Sequence, residues 1–430
     1  KTSRSNMAIS QNFPNTRPSL NLNFARSKTL DPRITFIRTQ TGSEASYVDE
    51  SGIIRYASAD EPRFDHDPET GKCLGLMIEE QRTNLIAYST YHAGDGSNSD
   101  FRWLPLNGAS TSSTTETAPD GTSTAWRWDG NSGSGAIARV YLGPDTFTAN
   151  GSDSYTISFY AKLISGTTKS STLIFDLQDT QLLTFYESNL VTGEWKRIVI
   201  TGTPASGTYT FMDLVNNNTT DYVIDFWGLQ IEKDKDVSSY IPTSGSTVTR
   251  NADNVWMTDI SDFFNPSQGT SVIRYSPRFD TNANSRYRAL FSFRDTSTGY
   301  RISIAGNEHQ MYFPSTGTLM DYYTYSGPSF IRNNLETNVV SYGSTYFRLY
   351  LNDQQPWSSS HPSYGAGKIE ELIPHKSPST GITTSNFTTL SFGYSHANTS
   401  NSKLNCNIES FTYYPSEVGV ENIKTFTRDQ

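Results

Sequence analysis

The stretch from 61 to 85, EPRFDHDPETGKCLGLMIEEQRTNL, holds residues suited to chemistry. Asp65, His66 and Asp67 are consecutive, and Glu69, Glu79, Glu80 and Arg82 follow. Three readings compete. Asp65 and Asp67 offer hard oxygen donors of the kind that hold calcium. His66 could serve as a general base, but a base needs a nucleophile or a second partner, and none stands near it in sequence. The third reading is architectural. Pro68 presets φ and Gly71 accepts a positive φ, so DHDPETG reads as a turn. CLGLMIEEQRTNL then enters a strand on which Glu79, Glu80 and Arg82 can pair with charges on the N-terminal segment. Turn chemistry and ion pairing are favoured over a bound cation, and both over catalysis.

Other candidates are aromatic or acidic. Trp103, Trp126, Trp128, Trp195, Trp227, Trp256 and Trp357 could stack on sugar rings, whose C–H faces complement an aromatic face. Most read as core. In DYVIDFWGLQIEK, strict alternation puts Val223, Asp225, Trp227, Leu229 and Ile231 on one face and Ile224 and Phe226 on the other, so Trp227 is covered. Trp195 opens EWKRIVITG as a core residue. Trp103 and Trp357 stand in polar surroundings, SDFRWLPLNG and NDQQPWSSSHPSY, and are the two candidates for carbohydrate contact. Asp225 has apolar neighbours, and a buried carboxylate needs a partner.

Glycoside hydrolysis needs two carboxylates facing each other across a cleft. Glu370 and Glu371 are adjacent, so a strand would turn them to opposite faces. Glu308 and His309 lack a third member. No G-x-S-x-G, H-E-x-x-H or phosphate loop occurs. The expectation is a protein that is not an enzyme.

Strands must position these residues. Charged residues are 18% of the 430, whereas Tyr and Phe number 25 and 23. Aromatics set among Ser, Thr, Asn and Gly suit half-buried strands joined by turns, not long helices. The formal net charge is −9 with no long basic run, which argues against phosphate-neutralising contact with nucleic acid. No apolar run reaches bilayer length, and the first residues lack the apolar core of a secretory signal. Cys73 and Cys406 stand far apart and form neither a disulfide framework nor a cysteine zinc site.

The fold expected is all-β: two tandem antiparallel β-sandwiches, or jelly rolls, preceded by a loop-rich N-terminal arm. Residues 1–87 form the arm. Residues 88–250 carry eight strand-like runs, among them GAIARVYL, SYTISFYAKLI, EWKRIVITG and GTYTFMDLV. Residues 251–267 are a linker, and 268–430 repeat the strand pattern before a short helix, SEVGVENIKTFTRD, with Ser416 as N-cap. An arm with little core of its own should lie against another domain or subunit. A homo-oligomer is expected, with a trimer favoured, and a chain lacking 1–85 should leave folded, monomeric sandwiches.

Three stretches carry a resemblance. LNLNFARSKTLDPRITFIRTQTGSEASYVDESGIIRYASADEPRFDHDPETGKCLGLMIEEQRTNL resembles the entry module of tailed-bacteriophage virion proteins, the tail-fibre, tail-tip and head-fibre type. DFWGLQIEKDKDVSSYIPTSGSTVTRNAD resembles the last strand and exit of their carbohydrate-binding-module-like jelly roll. FRLYLND and ESFTYYPSEVGVENIKTF resemble the end of a concanavalin A-like, laminin-G-like domain. The resemblance implies that 61–85 is a structural module. It also implies a structural calcium near the terminal strands, with Asp225 or Glu232 as ligand, beside the Asp65 and Asp67 reading. The function expected is a virion surface component, on head or tail, that binds host surface polysaccharide and contacts other virion proteins through the arm. The alternative is a purely structural capsid-decorating or tail-bridging protein without a glycan ligand.

Overall fold

The computed structural model describes residues 17–90 apart from 41 and 43, then 101–130, 136–142, 147–166, 172–177, 180–186, 190–216 and 222–278. Beyond these it describes 289–294, 301–305, 310–311, 313–315, 318–320, 335–343, 347–352, 387–393 and 404–418. The chain is nearly all β, in several antiparallel sheets. Among the described residues the only helix is the single turn Phe24–Ser27. Asn23 caps it by accepting from the Arg26 N–H at 3.0 Å. Of the expected closing helix, Ser416–Val418 are not helical, and the rest lies outside the described residues.

Two compact units are present, and neither is continuous in sequence. The first comprises Lys1–Phe36, Leu74–Ile78 and Asn254–Gln430; the second comprises Ile37–Cys73 and Glu79–Asp253. The stretch expected as one arm is thus shared between them.

In the first unit, one sheet has the strand order Phe347–Asn352, Glu336–Tyr342, Gly269–Pro277, Cys406–Tyr414, Cys73–Ile78. Leu20–Asn23 also pairs with Cys406–Tyr414, Leu22 opposite Phe411. The other sheet runs Ile34–Ile37, Asn254–Thr258, Thr389–Phe392, Ala289–Arg294, Arg301–Ala305, Gln310–Met311. Rings from the two sheets meet between them: Phe291 lies 5.1 Å from Phe411, and Phe293 lies 5.5 Å from Tyr413. Edge-to-face packing of this kind suits the ring quadrupoles. Gly75 allows Cys73–Ile78 to join, because at its φ of +102° a Cβ would stand 2.0 Å from the Ile408 carbonyl oxygen.

The second unit has two five-stranded sheets. One is ordered Trp195–Gly202, Tyr155–Ser165, Val223–Glu232, Trp126–Asp129, Ser110–Ser113. Tyr155, Ile157, Phe159, Ala161 and Leu163 alternate into a core with Trp126, Trp128, Phe226, Leu229 and Ile231. The other is ordered Thr180–Tyr186, Thr172–Leu177, Phe211–Asn216, Ala136–Leu142, Phe101–Leu106.

Gly228 changes the alternation expected around Trp227. It has a φ of +69°, and the register against Tyr155–Ser165 shifts between Ser158 and Tyr160, the mark of a β-bulge. Leu229 and Ile231 therefore join Ile224 and Phe226 in the main core. Trp227 packs on the opposite side with Tyr240, Ile54, Ala118 and Ala125. Both faces of this strand are covered, by different sets of residues.

The arm's order is supplied within the chain, so assembly is not needed to explain it. Without residues 1–85, Cys406–Tyr414 would lose both Leu20–Asn23 and Cys73–Ile78. A chain starting at 86 is expected to lack the cooperative unfolding of the first unit, read by near-ultraviolet circular dichroism against temperature. Native-like melting of that fragment would show that the N-terminal strands are dispensable.

Candidate functional site

Of the charges in 61–85, Arg63, Asp65, Glu79, Glu80 and Arg82 are buried, whereas Glu61, Glu69 and Lys72 are exposed. Within the second unit Arg63, Glu79 and Asp253 are buried side by side. Arg63 donates through Nη1 to Glu79 Oε2 at 2.8 Å and through Nη2 to Asp253 Oδ2 at 2.6 Å. Asp253 also accepts from Arg38 Nη1 at 2.9 Å and from the Glu79 N–H at 2.9 Å. Glu79 in turn accepts from the Ser239 N–H at 2.7 Å and its hydroxyl at 2.6 Å. Burial would lower the pKa of Arg63, yet the carboxylates of Asp253 and Glu79 hold it above the usual arginine value. Arg82 lies between Glu80 and Asp234, donating Nη1 to Asp234 Oδ2 at 2.6 Å. Guanidinium groups thus neutralise the clustered carboxylates.

The Asp65–His66–Asp67 triplet is equally committed. Asp65 Oδ1 accepts from the Val48 N–H at 2.8 Å. His66 donates Nδ1–H to the Val48 carbonyl at 2.9 Å, and its Nε2 is buried without a hydrogen-bond partner. With one nitrogen held and the other shut off from water, the ring has no route for passing protons to a substrate. Asp67 closes the turn, its Oδ1 accepting from the N–H groups of Glu69 at 3.0 Å and Thr70 at 2.8 Å. The Thr70 N–H first, joined by the Thr70 hydroxyl and the Glu69 N–H, holds the Asp67 carboxyl below the usual aspartate pKa even though burial pushes the other way.

Asp225 is clamped bidentately by Arg127, at 2.7 and 2.9 Å. Glu232 accepts from the N–H of Ser238 at 3.0 Å and from its hydroxyl. Among the described residues no three His, Cys, Asp or Glu side chains form a metal-holding group. Calcium at Asp65, Asp67, Asp225 or Glu232 would have to share these carboxylates with their present donors.

One charged row crosses the Trp195–Gly202 sheet. Arg127, Asp225, Lys162 and Trp195 are successive cross-strand partners. Lys162 reaches Glu116 at 2.8 Å and lies 5.9 Å from the Trp195 ring centroid. Trp195 is half-buried rather than core, and its Nε1–H donates to the Thr117 carbonyl at 2.8 Å. Glu116 and Thr117 belong to a loop whose Ala118 and Ala125 pack on Trp227. This row fastens that loop to the sheet.

The other sheet of the second unit differs. Its register places Ala138, Val140 and Leu142 on one face with Trp103, Pro105, Met212, Leu214 and Phe175. Trp103 is opposite Val140 on that face. The other face carries the row Leu104, Arg139, Asp213, Asp176 and Gln181, polar on four of five adjacent strands, with Leu106, Ile137, Val215 and Ile174 as the apolar row on one side of it. Arg102, Tyr141 and Phe211 form the next row. Arg139 grips Asp213 bidentately at 2.7 and 2.6 Å. Arg139 is part-exposed while Asp213 is buried. This polar and aromatic face is the candidate ligand surface.

The alternation in AIARVYL and FMDLV already separates Arg139, Tyr141 and Asp213 from their apolar neighbours, a signal that a search for tryptophans passes over. Trp357, Glu308, His309, Glu370 and Glu371 lie outside the described residues.

No protein-family model matches the chain, and no curated protein matches it in sequence. Solved structures show distant likenesses. Domain 4 of AbnA, an extracellular GH43 arabinanase from Geobacillus stearothermophilus, in complex with arabinotriose, is 8% identical with a TM-score of 0.29, covering 41% of this chain and 73% of that one. The N-terminal CBM22-1–CBM22-2 tandem domain of a Paenibacillus barcinonensis protein is 9% identical with a TM-score of 0.27, covering 79% and 99%. The tripod from the baseplate of bacteriophage Tuc2009 is 11% identical with a TM-score of 0.25, covering 73% and 93%. Scores this low carry no argument about what the chain does.

Two stability measurements check the architectural reading of 61–85. Asp253→Asn leaves Arg38 buried without its anion and Arg63 with Glu79 alone, and chemical denaturation is expected to show a loss of about 3–5 kcal/mol. Asp67→Ala is expected to cost about 1 kcal/mol at neutral pH. Because folding lowers the Asp67 pKa, its contribution is present above the unfolded value of about 3.9 and disappears as pH falls through the folded value. The difference between Asp67→Ala and wild type should therefore shrink below about pH 4.

Proposed function

We propose that this chain is a virion surface component that adsorbs to host surface polysaccharide, with the face bearing Arg139 and Asp213 as the binding surface. The observation that carries this reading is the bidentate Arg139–Asp213 pair on a sheet face, in register between the row that holds Tyr141 and Phe211 and the apolar row of Leu106, Ile137 and Val215. Sugars are read by planar polar groups beside an aromatic surface, and a sheet face sets such groups at fixed spacing. The sequence resemblance to tailed-phage structural proteins supports the virion setting. Binding rather than turnover fits a chain whose acidic cluster at 61–85 is occupied by arginines. Assembly into a homo-oligomer, a trimer by preference, belongs to the same proposal, since weak single-site binding gains from several linked copies. Contacts with other virion proteins belong to it too.

The test is adsorption of the purified protein to host cells. Tyr141→Ala and Phe211→Ala should each weaken it about fivefold, the loss of about 1 kcal/mol of stacking, with little change in melting temperature. Trp103→Ala, on the apolar face, should instead lower the melting temperature. Unchanged adsorption in both face variants would favour the purely structural virion role.

A further inference from the structure

Resting on that glycan-binding reading, we infer that the Arg139 face selects uncharged polysaccharides, because the guanidinium that would recognise an acidic sugar is already closed by the protein's own carboxylate. Arginine recognises a carboxylate or phosphate best through two parallel N–H bonds. In Arg139 that fork is in use: Nε donates to Asp213 Oδ1 at 2.7 Å and Nη2 to Asp213 Oδ2 at 2.6 Å. Asp213 is only 2% exposed. A uronate or phosphate that captured Arg139 would leave this carboxylate buried without its cation, a costly exchange.

The register adds a second reason. Asp176 is the cross-strand partner of Asp213, so two acidic positions adjoin in the row beside one arginine. An anionic ligand would meet like charge in the row, whereas a sugar hydroxyl both donates and accepts and needs no counter-ion.

The full chain is run by affinity electrophoresis through gels holding neutral polysaccharides (mannan, galactan, arabinoxylan) or acidic ones (polygalacturonate, alginate). Retention by a neutral polysaccharide and by neither acidic one is expected. The apparent dissociation constant should change less than about twofold between about 0.01 and 1 M salt, a range over which the Debye length falls from about 30 to 3 Å. Asp213→Asn, which opens the Arg139 fork, should gain retention by polygalacturonate. If that variant does not fold, the wild-type salt series decides alone. Retention of the wild type by an acidic polysaccharide would overturn the inference and leave glycan binding standing. Retention by none of the five would overturn both.

Discussion

Asp253 is the acceptor on which much of the second unit depends. Its two oxygens take Arg38, Arg63 and the backbone N–H of Glu79, three segments far apart in sequence. The chain passes between the units after Phe36, Cys73, Ile78 and Asp253, so Arg38, Glu79 and Asp253 each stand within two residues of a crossing. One buried network therefore fixes, on the second unit's side, three of the places where the chain leaves or enters. Buried charges are expensive unless fully paired, and a paired set tolerates few alternative arrangements. This gives a physical reason for concentrating charge in a chain otherwise poor in it: the network specifies position.

That constraint decides where function can lie. Carboxylates bound by arginines and serines cannot also serve a substrate. On the outer side of the sheet containing Trp195, Trp227, Tyr240, Ile54 and Ala118 cover one part and the Arg127–Asp225–Lys162 row fastens a loop over another, while Val199 stays exposed. The face proposed to meet ligand is that of the sheet through Arg139. There the bidentate pair with Asp213 keeps one side chain part-exposed and sets the electrostatic character of the row.

Much of this was legible in residue order. Period-two alternation marked SYTISFYAKLI, EWKRIVITG and GAIARVYL, and each contains a strand. DHDPETG announced its turn through Pro68 and Gly71, and the need of Asp225 for a partner was visible from its apolar neighbours. What failed to show depends on tertiary geometry. A single glycine at 228 shifts the alternation by one, so Leu229 and Ile231 part company with Trp227. The arm looked coreless because its partners are hundreds of residues away: Leu20 pairs with Tyr413, and Ile78 with Cys406. Trp103 stood out for its polar neighbours in sequence, and chain order is no guide to its register partner across the sheet, Val140. The candidate face was missed because its key pair joins two strands, each carrying only one of the charges.

The account separates charges that build the molecule from a face that meets ligand, and mapping a bound oligosaccharide by amide chemical-shift perturbation on the full chain tests that separation most directly. The largest shifts should fall on Arg102, Arg139, Tyr141, Phe211 and Asp213, with the turn from Asp65 to Gly71 unmoved. Shifts centred on that turn, or on Trp195 and Lys162, would contradict the account and return the binding site to the residues assigned here to architecture.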